Sequence, residues 1–285
     1  MMKPFPKSPR LRARRTAPFG IIALSLAAVA LVAAVILRRL QPPNPEEEAW
    51  NSPDGVTVSI LGDSISTFEG YVPTGDGVNL SHESFYPRRS VRRVENTWWV
   101  QVIDGLDARL GVNESWSGSR VLNTMEGNQG NLGEDAAMAS MTRIRNLGSN
   151  GTPDIILFFG GTNDISFGSP KGEFDPAQAP TVAELTATRW ETFAEAYTAA
   201  ILRMQCLYPD AKIYAISPTE NAAYYDAARR EEYVAVMKDI CACYGVPFVD
   251  LTEAGFTTEL LFDGTHPGAE GMKRIADTVL GVCRP

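Results

Sequence analysis

The sequence has only two histidines, His82 and His266, in 285 residues. Histidine is the side chain that most often acts as a general base near neutral pH, so only these two positions could supply a catalytic imidazole. So few histidines also argue against reading Cys241 and Cys243 as a zinc site. We therefore expect neither a metal nor an organic cofactor.

Basic residues are scarce once the N-terminal segment is set aside. Residues 40–285 carry 18 Lys and Arg against 34 Asp and Glu, a net charge of −16. A domain this acidic lacks the basic surface that attracts phosphates, so we expect no nucleic-acid partner. Its charge suits neutral or cationic substrates.

Acidic residues are missing from the first 39 positions, which hold 8 basic ones. Residues 17–37 form an uncharged, mostly apolar run of 21, about the length of a membrane-spanning helix. Six basic residues precede the run and two follow it, which predicts a cytoplasmic tail over 1–16 and an extracytoplasmic domain beyond the linker 38–53. A signal peptide cleaved near residues 28–30, giving a secreted protein, is the alternative. The apolar run continues past that motif and favours a single-pass anchor.

Disulfides are permitted at such a location. One interpretation pairs Cys206 with Cys241 or Cys243, near the ends of two successive predicted helices. The other leaves all four cysteines, including Cys283, as free thiols. The sequence does not decide between them.

Strand and helix patterns alternate over residues 54–285, where apolar and β-branched runs are separated by amphipathic segments. This alternation predicts a single α/β domain with a doubly wound parallel sheet of about five strands. The predicted strands cover 56–61, 111–116, 154–159, 212–217 and 247–251, and the predicted helices cover 97–110, 134–147, 181–208, 229–244 and 268–280.

A long segment without a regular pattern follows the first strand and continues to Glu95. It contains the aromatic residues Phe68, Tyr71, Phe85 and Tyr86, which argue against disorder. Loops of this length are often functional, so we interpret it as a rim or lid of the site. The alternative is a packed loop whose aromatic rings cover the core.

A hydroxyl stands at the end of the first strand, in Gly62-Asp63-Ser64. Parallel sheets bind ligands at the carboxyl ends of their strands, and a serine there needs an imidazole to take its proton. In Asp263-Gly-Thr-His266 the spacing lets Asp263 orient the imidazole of His266. His82 lies in a polar stretch typical of an exposed loop.

Two further motifs complete a set of four: Trp116-Ser-Gly118-Ser and Gly160-Gly-Thr-Asn163-Asp. With the serine and histidine motifs, in this order, they resemble the blocks of the SGNH (GDSL-type) hydrolase family over residues 57–279. The resemblance implies a three-layer α/β/α, flavodoxin-like fold with strand order 2-1-3-4-5. It also implies an oxyanion hole formed by the backbone N–H groups of Ser64 and Gly118 and the side-chain amide of Asn163. Ile65 departs from the family pattern, where leucine is usual.

Other roles for these polar residues are open. Asn163 could cap the following turn, and Gly118 could serve only the backbone. We interpret Asp63 and Asp164 as acceptors that hold their turns. A glycosidase with two carboxylates would leave the serine and the histidine unexplained.

These patterns predict a membrane-anchored, extracytoplasmic serine esterase that removes short acyl groups, foremost O-acetyl groups, from a small molecule or a carbohydrate. Tyr71, Tyr86 and Trp116 are the candidate substrate-binding residues, because flat aromatic faces suit sugar rings. Core packing is the alternative for these aromatic residues. Competing functions are a lysophospholipase or other lipolytic esterase, an acyltransferase, and a non-catalytic glycan-binding surface protein.

Overall fold

A computed structural model describes residues 55–72, 84–87, 90–122, 137–185 and 190–283. The predicted tail, anchor and linker, and His82, lie outside these residues. No helix in the described part of the chain is long and apolar enough to cross a membrane.

The sheet has five parallel strands in the order β2-β1-β3-β4-β5, which confirms the predicted strand order. Strands β1 and β3 lie in its interior and are covered on both faces, so β3 is apolar throughout, while β1 also buries the polar side chains of Thr57 and Ser59. The strands are β1 Thr57–Gly62, β2 Arg109–Ser115, β3 Ile155–Phe159, β4 Lys212–Ile216 and β5 Phe248–Val249.

Helices cover both faces of the sheet and form two separate apolar clusters with it. The cluster on one face includes Phe158 and side chains of α2 to α5, and the cluster on the other includes Phe159 and side chains of α1 and α6. This gives the three-layer arrangement. The helices are α1 Trp98–Gly105, α2 Met141–Asn146, α3 Thr162–Phe167, α4 Phe193–Leu207, α5 Ala227–Cys243 and α6 Ala269–Cys283.

Three of the predicted helices are too long. Helix α1 ends at Gly105, because a turn through Asp107, with φ of 51°, leads directly into β2. Ser140 caps α2 by accepting a hydrogen bond from Arg143 N–H, so the helix starts well after residue 134. Thr192 caps α4 in the same way, and the described residues at the start of the predicted segment form a short 3₁₀ turn at Val182–Glu184.

The cysteine pairing considered above is wrong. All four cysteines are free, with Cys241 and Cys283 buried and Cys206 and Cys243 exposed. The alternative of free thiols is the one that the structure supports.

The register of the sheet aligns the strand ends that precede the motifs. Gly62 of β1 pairs with Phe159 of β3, which in turn pairs with Ile216 of β4. The chain leaves the sheet at the same edge after each of these residues. The serine motif and the Asn163 motif are therefore neighbours in space.

Candidate active site

Ser64 begins a 3₁₀ turn immediately beyond β1. Asp63 fixes this turn, since its Oδ1 accepts a hydrogen bond of 3.0 Å from Ile65 N–H. The hydroxyl of Thr67 donates to the Ser64 carbonyl at 2.9 Å. Only 8% of Ser64 is exposed, so the hydroxyl is held at the end of the strand with little freedom.

His266 contacts Ser64 directly, although 202 residues separate them in the chain: Nε2 lies 2.9 Å from Ser64 Oγ. The other ring nitrogen, Nδ1, lies 2.9 Å from Asp263 Oδ2. Asp263 Oδ1 also accepts the backbone N–H groups of Thr265 at 3.0 Å and His266 at 2.7 Å, which closes the turn. The structure thus brings the three residues predicted as catalytic into one hydrogen-bonded chain.

The protonation states suit proton transfer. Burial lowers the pKa of His266 below 6.5, and the carboxylate of Asp263 opposes this only in part. Burial acts to raise the pKa of Asp263, but the N–H groups of its turn and the imidazole outweigh it, so the pKa lies below 3.8. At neutral pH the imidazole is therefore a neutral base that faces an ionised carboxylate.

An aromatic ring that was not among the predicted site residues covers the imidazole. Phe85 stacks on His266 with ring centroids 3.4 Å apart and an interplanar angle of 9°. Its backbone N–H donates to Thr67 Oγ1 at 2.8 Å, which ties this residue to the serine turn. The sequence placed Phe85 only in an aromatic loop, because no motif marks a ring that packs on a distant histidine.

Tyr86 does not have the predicted position. It is fully buried, and its hydroxyl donates to the carbonyl of Pro267 at 2.9 Å. Its ring is oriented edge-on to His266, at a centroid distance of 6.5 Å. A side chain without exposed surface has no face for a substrate, so we correct its role to one of packing beside the histidine.

Trp116 is also buried, with 6% of its surface exposed. Its indole N–H donates to Glu114 Oε1 at 3.0 Å, and the guanidinium of Arg143 lies 4.8 Å from its ring centroid. The predicted substrate contact is therefore corrected as well. This ring packs beneath the site.

Tyr71 is half-buried and packs against Phe68 and Trp99, with ring centroids 6.0 Å away in each case. It borders a surface groove of about 490 Å³ along the edge strand β2. Of the three predicted aromatic residues, it alone keeps substantial exposed surface. The residues lining this groove do not include Ser64 or His266.

Gly118 and Asn163 lie in neighbouring loops. Gly118 has φ of 75°, a conformation that favours glycine, in the turn after β2. Asn163 lies in the first turn of α3, and its Nδ2 donates to the carbonyl of Ser119 at 2.9 Å. The amide predicted for the oxyanion hole is thus hydrogen-bonded to the residue next to Gly118.

Asp164 holds the same loop from its other end. Its two carboxylate oxygens accept the backbone N–H groups of Val121 at 2.8 Å and Leu122 at 2.9 Å. Burial raises the pKa of Asp164 to about 7, while these two N–H groups act in the opposite direction. Asp63 and Asp164 therefore have the positions expected of acceptors that hold turns.

The part of the chain that the structure describes contains no group of histidine, cysteine or carboxylate side chains suited to hold a metal ion. Ser64, His266 and Asp263 form a hydrogen-bonded chain at this edge of the sheet. This arrangement defines a serine hydrolase: a serine hydrogen-bonded to an imidazole, and the imidazole hydrogen-bonded to a carboxylate, at the carboxyl edge of a parallel sheet.

Comparison with known proteins gives the family. The model of the GDSL-like lipase/acylhydrolase family matches residues 56–283, and the chain belongs to this family. This confirms the resemblance found in the motifs, and the protein is a serine hydrolase that acts on ester bonds. No curated protein shows significant similarity to the sequence.

Two solved structures from Bacteroides are similar in both sequence and fold. A protein of Bacteroides uniformis described as a GDSL-like lipase is 33% identical, with a TM-score of 0.60 over 82% of this chain and 97% of its own. One of Bacteroides ovatus with the same description is 30% identical, with a TM-score of 0.58 over 79% and 96%. A carbohydrate acetylesterase family member from Sinorhizobium meliloti, 18% identical with a TM-score of 0.51 over 80% and 97%, shares the fold.

Proposed function

We propose that Ser64 is the nucleophile of this esterase, His266 its general base and acid, and Asp263 the residue that orients the imidazole. The observation that carries the proposal is the chain of two 2.9 Å contacts from Ser64 Oγ through His266 to Asp263 Oδ2. A serine hydroxyl needs such a partner because it is a poor nucleophile while it keeps its proton.

The reaction then has two stages. Ser64 Oγ attacks the carbonyl carbon of the ester while its proton passes to His266 Nε2, and the C–O bond to the alcohol breaks as His266 returns that proton to the leaving oxygen. A water molecule then attacks the acyl-enzyme and gives its proton to the same nitrogen. Ser64 regains a proton from His266, and the carboxylic acid leaves.

The oxyanion of each tetrahedral intermediate would be stabilised by the N–H groups of Ser64 and Gly118 and by the amide of Asn163. An amide nitrogen carries two hydrogens, and the bond to Ser119 uses one of them. The anchored amide is thus preorganised, which is what makes such donors effective. Loss of one donor typically lowers kcat by about 10²–10³-fold, and we expect Asn163→Ala to fall in this range.

For the substrate we propose a short acyl ester, foremost an O-acetyl group on a carbohydrate, presented to a domain that residues 17–37 anchor outside the cell. The support for a sugar is narrower than the sequence indicated, because Tyr86 and Trp116 are both buried. It comes from the half-exposed rings of Tyr71 and Phe85 and from the acidity of the domain.

A lipolytic esterase that prefers longer acyl chains or lysophospholipids is the second candidate. It is favoured by the two Bacteroides proteins, which share at least 30% identity with this chain and are described as GDSL-like lipases. The two candidates differ in the acyl chain and the alcohol, while the chemistry at Ser64 is the same.

The test compares p-nitrophenyl acetate with longer p-nitrophenyl esters, and acetylated xylan with lysophosphatidylcholine, using the full chain. Ser64→Ala and His266→Ala should each lower kcat by at least about 10⁴-fold. Rates that fall with acyl length support the acetylesterase, and rates that rise support the lipolytic enzyme. Ester hydrolysis that persists in folded Ser64→Ala protein would contradict the proposed nucleophile.

A further inference from the structure

Arg143 lies in α2 and is fully buried. Its Nη2 donates to two backbone carbonyls, that of Gly62 at 2.9 Å and that of Glu114 at 2.6 Å. These carbonyls lie at the carboxyl ends of the adjacent strands β1 and β2. One guanidinium nitrogen therefore joins the strand that ends two residues before the nucleophile to the strand that leads into the Gly118 loop.

The Gly62 carbonyl is shared with that loop. It accepts the backbone N–H of Trp116 at 3.2 Å and the hydroxyl of Ser119 at 3.3 Å, in addition to the bond from Arg143. The two loop residues flank Gly118 on either side. The position of a single carbonyl oxygen thus relates the serine turn to the loop that carries the Gly118 N–H.

The burial of the arginine with a carboxylate also indicates that its role is to position the backbone rather than to stabilise the fold. Its Nε lies 3.8 Å from Glu114 Oε1, and the side chains of both residues are at most 1% exposed. Burying such an ion pair costs desolvation energy that roughly cancels its attraction, so apolar residues of the same volume would serve stability equally well. An apolar side chain could not donate to the two carbonyls, however.

We propose that Arg143 is a positioning residue of this active site, which sets the distance between the Ser64 turn and the Gly118 loop. The inference rests on the proposed function in that these two elements supply the nucleophile and an oxyanion donor. Arg143 does not touch the reacting atoms. It acts through the Gly62 carbonyl, the Glu114 carbonyl and the ring of Trp116.

Arg230, on α5, provides a matched control because it contacts the end of another strand. It is 1% exposed, and its Nε donates to the Pro218 carbonyl at 2.8 Å while Nη2 donates to Ser217 Oγ at 3.0 Å, just beyond β4. It is thus a second buried arginine that holds a strand end. Because β4 carries neither the nucleophile nor a proposed oxyanion donor, Arg230→Met should lower stability without slowing the chemistry of folded protein.

The experiment measures how fast a fluorophosphonate labels Ser64 in the wild type and in Arg143→Met, Arg143→Lys and Arg230→Met, by intact mass. In this reaction the Ser64 Oγ–P bond forms, the P–F bond breaks, fluoride leaves and the serine proton passes to His266. The kcat and KM for p-nitrophenyl acetate are measured on the same full-length proteins. Circular dichroism defines a temperature at which each is folded.

Misplacement of catalytic groups by about 1 Å can cost about 100-fold, so Arg143→Met should lower the labelling rate and kcat by about that factor with KM changed less than about threefold. Lysine keeps a charged donor but is shorter and lacks the planar face that lies over Trp116, so Arg143→Lys should lose about tenfold in labelling rate and kcat, and it decides the case if the methionine variant does not fold. Arg230→Met should stay within about threefold of the wild type.

Two results would overturn the proposal. The first is a labelling rate of folded Arg143→Met within about threefold of the wild type, or of Arg143→Lys if the methionine variant is unfolded. The second is a labelling rate that falls as much in Arg230→Met as in the Arg143 variant. The phosphonate needs no natural substrate. A wild type that is labelled at Ser64 but hydrolyses no ester would therefore refute the proposed function, while the comparison between the arginine variants would still test the role of Arg143.

Discussion

The substitution Asp63→Asn tests whether a carboxyl group next to the nucleophile keeps its proton near neutral pH. Asp63 is fully buried, and burial raises its pKa to about 7, with a further contribution from Asp164. Its Oδ1 accepts the Ile65 N–H, and this bond and one with the Thr162 side chain offset the effect of burial on the pKa only in part. Asparagine keeps the acceptor for Ile65 and cannot ionise.

The direction of the stability change with pH follows from the proton that unfolding releases. The unfolded chain ionises Asp63 near pH 3.8 and the folded protein only near pH 7, so unfolding releases a proton between these values and wild-type stability falls as pH rises through this window. At about 1.4 kcal/mol for each pH unit, the loss amounts to roughly 4 kcal/mol. The variant does not suffer this loss. Relative to the wild type, it should gain on the order of 4 kcal/mol of stability between pH 4 and pH 8.

Urea denaturation of both proteins at pH 4, 5, 6, 7 and 8, followed by circular dichroism, measures the difference in the free energy of unfolding. Asp263→Asn is the control with the opposite sign, because the pKa of Asp263 is lowered in the fold. This variant should be less stable than the wild type by a nearly constant amount from pH 4 to pH 8, because the unfolded pKa of 3.8 and the lowered folded pKa both lie below this range. A difference for Asp63→Asn that stays flat from pH 4 to pH 8 would refute the reasoning.

Two further predictions concern the base and the loop. Burial lowers the pKa of His266, so the rise of kcat/KM for p-nitrophenyl acetate on the acid side of its pH profile should have its midpoint below pH 6.5. A midpoint above that value would show that the imidazole is more exposed than in this structure. Asp164→Asn places an amide N–H₂ against the N–H of Val121 or Leu122, so we expect a loss of about 1–3 kcal/mol in urea denaturation at pH 4, where ionisation of Asp164 contributes little, together with a lower kcat. Unchanged kcat in this variant would show that the site does not depend on the bonds of Asp164 to the loop.

The sequence predicts the parts of this fold that local pattern determines. The strand at Ile155–Phe159 is marked by a continuous apolar run, and the strand at Thr57–Gly62 by a mainly β-branched and apolar run that ends at a turn. The motifs identify the residues that meet at the ends of these strands. The end of α1 was misplaced because Leu106 and Leu110 continue its apolar spacing. Both side chains do pack against the same cluster as α1, but Leu110 does so from β2.

The supporting residues could not be predicted, because their partners are distant in the chain. Arg143 is a charged residue on a short helix, and the hydrophobic pattern of the sequence predicts that such a residue is exposed to solvent. Its acceptors Gly62 and Glu114 are 81 and 29 residues away. The role of Phe85 likewise depends on a distant residue, since its ring stacks on His266. Tyr86 also has a distant partner, because its hydroxyl donates to the carbonyl of Pro267.

The contact between Ser64 and His266 makes activity a measure of complete folding. The two residues are 202 positions apart, and one follows the first strand of the sheet while the other precedes its final helix. Contacts this distant in sequence form only after the intervening elements have been ordered, so such topologies fold slowly. A partly folded chain would hold the nucleophile without its base. The appearance of esterase activity during refolding would therefore time the last step in the assembly of the domain.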